Sequence, residues 1–88
     1  MSDNTWETDF AQLWMEVLGV ETVDEHDDFF DLGGHSLSAL RLSTLIRQDL
    51  GRDVQLNHVL ENPRYADLLA VTGKVPLSVS QASVGGQV

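Results

Sequence analysis

The sequence predicts an all-α fold, a small four-helix bundle with a short third helix and a long loop between helices 1 and 2. Three observations carry that prediction. Apolar residues recur at spacings of three and four along the segments that begin near Trp6, Ser36 and Pro63, which is the period of one helix face. Each of these segments runs into a glycine, Gly19, Gly51 or Gly73, and glycine favours the left-handed position that follows a helix. No segment shows the strict alternation of a half-buried strand.

The first helix gathers Trp6, Phe10, Leu13, Trp14, Val17 and Leu18 on one face. Asn4 and Glu7, three residues apart, read as its capping pair. Tryptophans at this spacing read as core rather than as a stacking platform for a ligand. Residues 20–35 form a long connection in which Glu21, Asp24, Glu25, Asp27, Asp28 and Asp31 are interleaved with Val20, Val23, Phe29, Phe30 and Leu32. A connection of this length needs anchors, and its apolar members can supply them by packing on the helices. His26 stands among the acids, but the order Asp-x-Asp-x-Asp-Gly and the closing Glu of a calcium loop are missing. No metal site is expected.

On a wheel of about 100° per residue, helix 2 from Ser36 to Leu50 turns Ala39, Leu42, Leu45, Ile46 and Leu50 to the core. Leu37 and Leu40 fall outside that face, on the side of Ser36, Arg41, Thr44 and Arg47. Val54, Leu56, Val59 and Leu60 suggest a third helix of a turn or two, closed by Asn62-Pro63. Pro63 suits the first position of the fourth helix, which then runs to about Thr72 with Tyr65, Leu68, Leu69 and Val71 inward and Gly73 as its stop. His58 reads as a surface or half-buried helix residue. The folded domain is expected over residues 1–73, and residues 74–88 read as a flexible tail or linker.

Eighty-eight residues, 42% apolar and 22% charged, make one globular domain near the lower end of what folds alone. The absence of cysteine excludes disulfide frameworks and thiolate metal sites. No apolar run approaches the roughly eighteen residues of a membrane span. The start Met1-Ser2-Asp3-Asn4-Thr5 lacks the basic and apolar regions of a signal peptide. A cytoplasmic monomer is the expectation. The net charge of −9 makes nucleic acid and anionic membranes poor partners. Ten of the fourteen acids precede residue 40, whereas Arg41, Arg47, Arg52, Arg64 and Lys74 all follow it. Such an acidic half either is a solvated face or steers a basic partner towards Ser36.

Function is expected in the stretch Asp31-Leu32-Gly33-Gly34-His35-Ser36-Leu37. Gly33 and Gly34 leave no side-chain bulk beside Ser36, and Ser36 stands where a helix favours a capping serine. A plain Gly-Gly turn with a capping serine is the simplest account. A serine hydrolase is the first functional alternative, but adjacent helix residues do not face each other, so His35 is badly placed as a base for Ser36. The nucleophile elbow also needs a glycine where Ser38 stands, and no strand precedes the turn. The second alternative is a helical adaptor that binds a partner through Leu37 and Leu40, with a serine that is only a cap.

The longer run Asp27-Asp28-Phe29-Phe30-Asp31-Leu32-Gly33-Gly34-His35-Ser36-Leu37 resembles the signature of the peptidyl carrier, or thiolation, domains of nonribosomal peptide synthetases. These belong to the acyl carrier protein superfamily. The resemblance extends from Trp6 to about Thr72 and includes Val17-Leu18-Gly19-Val20 and Glu61-Asn62-Pro63. Fatty-acid carriers typically have Asp where His35 stands, which favours the peptide-synthetase branch over an acyl carrier of a polyketide or fatty-acid pathway. Val59-Leu60 in place of a commoner Leu-Phe pair, and Tyr65 in place of a smaller aliphatic, are departures that concern local packing.

The resemblance implies a carrier without catalysis of its own. A phosphopantetheinyl transferase, with Mg²⁺ and coenzyme A, would attach 4′-phosphopantetheine to Ser36 within the flanking Gly33, Gly34 and His35. The phosphodiester would lie at a helix N-terminus, which favours anions. The thiol of the arm would carry aminoacyl or peptidyl groups as thioesters among adenylation, condensation, and thioesterase or tailoring domains. Leu37, Leu40 and Arg41 form the expected contact patch for those partners.

Overall fold

The computed structural model describes residues 5–77. Helix α1 spans Thr5–Leu18, α2 spans Ser36–Leu45 and continues as a π-helical turn over Ile46–Leu50, α3 spans Leu56–Glu61 and α4 spans Tyr65–Lys74. This is the small all-α bundle that the periodicity predicts, with a short third helix and a long connection before α2. The predicted cap Asn4 lies outside the described residues.

Helix α1 buries Phe10, Leu13 and Trp14, and Trp6, Val17 and Leu18 pack on the rim of the core. It stops at Gly19, whose φ of +71° is open to glycine at little steric cost. The Val20 N–H then donates to the Met15 carbonyl at 3.0 Å, closing the last turn in a Schellman arrangement. The connection that follows is anchored as expected, by a fully buried Phe29 with Val23 and Leu32 packed beside it.

Its backbone has a second task. The first N–H groups of a helix have no partner within it, and in α4 the loop supplies them. Tyr65 N–H donates to the Asp27 carbonyl at 2.8 Å and Ala66 N–H to the Glu25 carbonyl at 3.1 Å, while Phe29 N–H donates to the Pro63 carbonyl at 2.7 Å. Those bonds set the start of α4 at Tyr65, with Arg64 in extended conformation before it. Pro63 is therefore not the first helical residue, as the sequence suggests, but lies two positions earlier.

Five aromatic rings form the centre. Trp14 meets Tyr65 edge-on at 5.1 Å between ring centroids and Phe29 at 5.6 Å, Phe10 meets Tyr65 at 5.3 Å, and Trp6 meets Phe10 at 6.4 Å. Edge-to-face pairs at these separations add to the area that the rings bury. Tyr65 is thus a member of the ring cluster. Ala39, Leu42 and Ile46 of α2 join the core with Val54, Val59 and Leu68.

Two features depart from the wheel. Leu45 is only half-buried, and Ser43 is fully buried instead, with its hydroxyl donating to the Leu40 carbonyl at 2.9 Å. Helix α4 also runs through Gly73 to Lys74 instead of stopping at the glycine. The Trp6 ring lies beside this glycine, where a Cβ would meet it in ordinary contact at 3.4 Å. The chain then turns back. Asp53 N–H donates to the Pro76 carbonyl at 3.0 Å, and Arg52 pairs with Leu77 in an antiparallel bridge. Residues 78–88 of the expected tail lie outside the described residues.

Candidate functional site

Ser36 is exposed and is the first residue of α2. The position before it is held by His35, extended at φ −148° and ψ −174°, so His35 is the capping residue and Ser36 is not, contrary to the sequence expectation. His35 caps with its backbone only. Its carbonyl accepts from Ala39 N–H at 2.8 Å, while its side chain makes no bond to the helix backbone. The imidazole lies instead with Nε2 at 3.3 Å from Ser38 Oγ. The base that a Ser36 nucleophile would need is therefore turned to another serine.

The turn ahead of Ser36 is built from short-range bonds. Asp28 Oδ1 accepts from Phe30 N–H at 2.9 Å and from Asp31 N–H at 3.2 Å. Leu32 N–H donates to the Asp28 carbonyl, Gly33 N–H to the Phe30 carbonyl and Gly34 N–H to the Phe29 carbonyl, at 3.1, 3.1 and 2.9 Å. Gly33 sits at φ +100°, a region that side chains rarely enter. Gly34 is demanded for space instead. A Cβ there would fall into the Phe29 ring and lie 2.8 Å from the Phe29 carbonyl oxygen. The two glycines thus have separate reasons, one torsional and one steric, and the steric one ties the turn to the core ring.

Leu37 and Leu40 are 72% and 45% exposed, and Arg41 is exposed next to them. These three and Ser36 belong to the first two turns of α2, in line with the wheel. Phe30, named as a candidate anchor of the loop, is instead exposed, and so is Leu60 of α3. A shallow open groove lined by Gln12, Met15, Glu16, Val20 and Glu21 includes none of these residues.

The loop carboxylates are less idle than a solvated face. Asp27 Oδ2 accepts from Asp24 N–H and Asp24 Oδ1 from His26 N–H, each at 2.8 Å. Short acids that accept from nearby backbone stabilise turns. Their spacing was visible in the sequence, but their acceptor role was not. His26 reaches Glu25 at 3.5 Å as an exposed pair, a contact of little energetic weight. Among the described residues no helix is long and apolar enough to cross a membrane.

A short helical body that holds a serine out at a helix start, beside exposed leucines, has the form of a presenting domain. The family model described as "Phosphopantetheine attachment site" matches residues 8–71. The chain belongs to that family, within the superfamily of acyl and peptidyl carriers, and it is a non-catalytic carrier. It is 45% identical to tyrocidine synthase 3 of Brevibacillus parabrevis over 65 residues, which is 74% of this chain and 1% of that protein. It is 43% identical to surfactin synthase subunit 3 of Bacillus subtilis (strain 168) over 67 residues, 76% of this chain and 5% of that protein. A solved structure described as a "Non Ribosomal PCP domain" superposes with a TM-score of 0.63 at 40% identity, covering 70% of this chain and 79% of that one. The chain spans between 1% and 5% of the length of these curated relatives.

Proposed function

We propose that this chain is a thiolation domain of nonribosomal peptide synthesis, modified on the Ser36 hydroxyl with 4′-phosphopantetheine from coenzyme A. One observation carries the assignment to Ser36: the residue is exposed at the first position of α2, directly after the turn with no side-chain bulk at Gly33 and Gly34. The residues fit the group. No side chain caps the backbone N–H groups of the first turn, which leaves them open to a phosphodiester on Ser36. When bound, the group supplies a flexible arm ending in a thiol that holds aminoacyl or peptidyl cargo as a thioester.

This chain contributes an accessible hydroxyl and a surface, and the transferase contributes the base. On attachment Ser36 Oγ would give up its proton and bond to the pantetheine-side phosphorus of coenzyme A, whose pyrophosphate P–O bond would break to release adenosine 3′,5′-bisphosphate. His35 is engaged with Ser38 and has no part in that proton transfer. Around Ser36, Leu37, Leu40 and Arg41 offer apolar contact and one positive charge to the transferase and to adenylation, condensation, and thioesterase or tailoring domains. The matching synthetases support such partners, and use of coenzyme A carries with it a cytoplasmic location.

Intact mass after incubation with coenzyme A and a broad-specificity transferase is the test. Wild type gains one phosphopantetheine, and Ser36→Ala folds normally and gains none. A Ser36→Ala protein that still gains that mass overturns the assignment, and an unmodified wild type returns the adaptor reading. For the surface, Leu40→Asp changes stability by no more than about 0.5 kcal/mol but slows loading by the adenylation domain. Arg41→Glu acts in the same direction more weakly and with a stronger salt dependence. Full activity of Leu40→Asp with every partner tried would remove the patch from the mechanism.

A further inference from the structure

The Ser36 turn hangs on one carboxylate outside the residues assigned above. Asp28 Oδ1 gathers two consecutive backbone N–H groups, of Phe30 and Asp31, while the Asp28 carbonyl takes a third, of Leu32. Those bonds fold the chain back on itself directly after Phe29. Phe29 is fixed from both sides. Its N–H is held by the Pro63 carbonyl, its carbonyl holds Gly34 N–H, and its ring is buried edge-on against Trp14. Gly34 then lies against that ring with no room for a Cβ. Two residues later comes Ser36. The route from the core to the reactive hydroxyl therefore runs Trp14, Phe29, Gly34, Ser36, and Asp28 holds the bend that makes it.

From this geometry we infer that Asp28 is a positioning residue for modification at Ser36. Its acceptor oxygen, rather than its charge, holds the Phe29–Gly34 turn so that the hydroxyl meets the transferase in one orientation. This rests on the reading of Ser36 as the attachment site. The reason to expect a kinetic effect is that a small misplacement of a reacting group costs rate far more than it costs binding. Leu37, Leu40 and Arg41 lie on α2 beyond the turn and are not among the groups that Asp28 binds, so the effect is expected on kcat rather than on KM for the carrier.

Two substitutions separate geometry from charge. Asp28→Asn removes the charge and keeps an oxygen at the same reach, whereas Asp28→Glu keeps the charge and moves the oxygen out by one methylene. With the full chain, coenzyme A and the transferase, Asp28→Asn is expected to match wild type and Asp28→Glu to lose about tenfold or more in kcat. Amide hydrogen exchange at Phe30, Asp31 and Gly34, measured without coenzyme A, is expected to quicken in Asp28→Glu and to stay at the wild-type rate in Asp28→Asn. A slow Asp28→Asn with a fast Asp28→Glu would make charge the cause and overturn the inference. So would exchange or kcat unchanged in Asp28→Glu. A wild type that gains no mass while the exchange pattern holds would instead remove the Ser36 reading and leave the turn intact.

Discussion

Tyr65 shows how a single side chain ties the long loop to the core. Its ring lies between Phe10 and Trp14, and its N–H is bound by the loop carbonyl of Asp27. Burial pushes its hydroxyl above the ordinary tyrosine value, and the negative charge of Glu7 adds to the shift. The folded state therefore keeps a proton that the unfolded chain releases near pH 10. That contribution is fully present below about pH 10 and is lost as pH rises through the raised Tyr65 value. Denaturation series into alkaline solution should show stability falling more steeply for wild type than for Tyr65→Phe. As the chain has one tyrosine, tyrosinate absorbance reports this site alone. Equal slopes for the two proteins would disprove the coupling. At the same scale Gly33 and Gly34 were legible as a pair but not as individuals. Their separate reasons, a left-handed torsion and contact with Phe29, need the backbone path and the ring beneath it.

Helix α2 carries both a buried face and the exposed face proposed to meet partners, and its phase decides which leucines are scaffold. Leu42 is fully buried and Leu45 half-buried. The π-helical turn from Ile46 to Leu50 takes more residues per turn than an α-helix, so a wheel drawn at one constant angle drifts towards its end. From within that turn Arg47 donates to the Val54 carbonyl at 2.7 Å, a bond between helix and connection that no local pattern announces. Leu42→Ala should cost about 2–5 kcal/mol, and Leu45→Ala a smaller amount, about 1–2 kcal/mol. Urea denaturation of both variants checks the order, and a costlier Leu45→Ala would restore the uniform wheel. The wheel placed Leu37 and Leu40 correctly as exposed, whereas it misplaced Ser43 and Leu45, which also precede the irregular turn.

Over the whole molecule, Arg52 gathers three distant segments. Its guanidinium stands 4.2 Å from the Trp6 ring centroid, Nη1 donates to the Thr72 carbonyl at 3.4 Å, and its backbone pairs with Leu77. The start of α1, the end of α4 and the chain beyond it are thus held at one end of the bundle. Arg52→Ala should lower stability by about 1 kcal/mol and speed amide exchange at Asp53, whose N–H is bound by Pro76. Unchanged exchange there would show that the backbone pairing holds without the arginine. This arrangement packs the chain beyond Gly73, as far as Leu77, onto the bundle.

What the sequence determined by itself is the local part: three helical segments by their period, the short third helix, and the glycine stops at Gly19 and Gly51. These rest on residues a few positions apart, and spacing alone encodes them. Tertiary structure decided the rest. His35 rather than Ser36 caps α2 because the turn from Asp28 to Gly34 delivers the chain extended at His35. Helix α4 starts at Tyr65 because loop carbonyls of Glu25 and Asp27 meet its first N–H groups, and it runs on past Gly73 to Lys74. The contacts that start α4 join residues far apart along the chain, where backbone groups and space, not residue type, choose the partner.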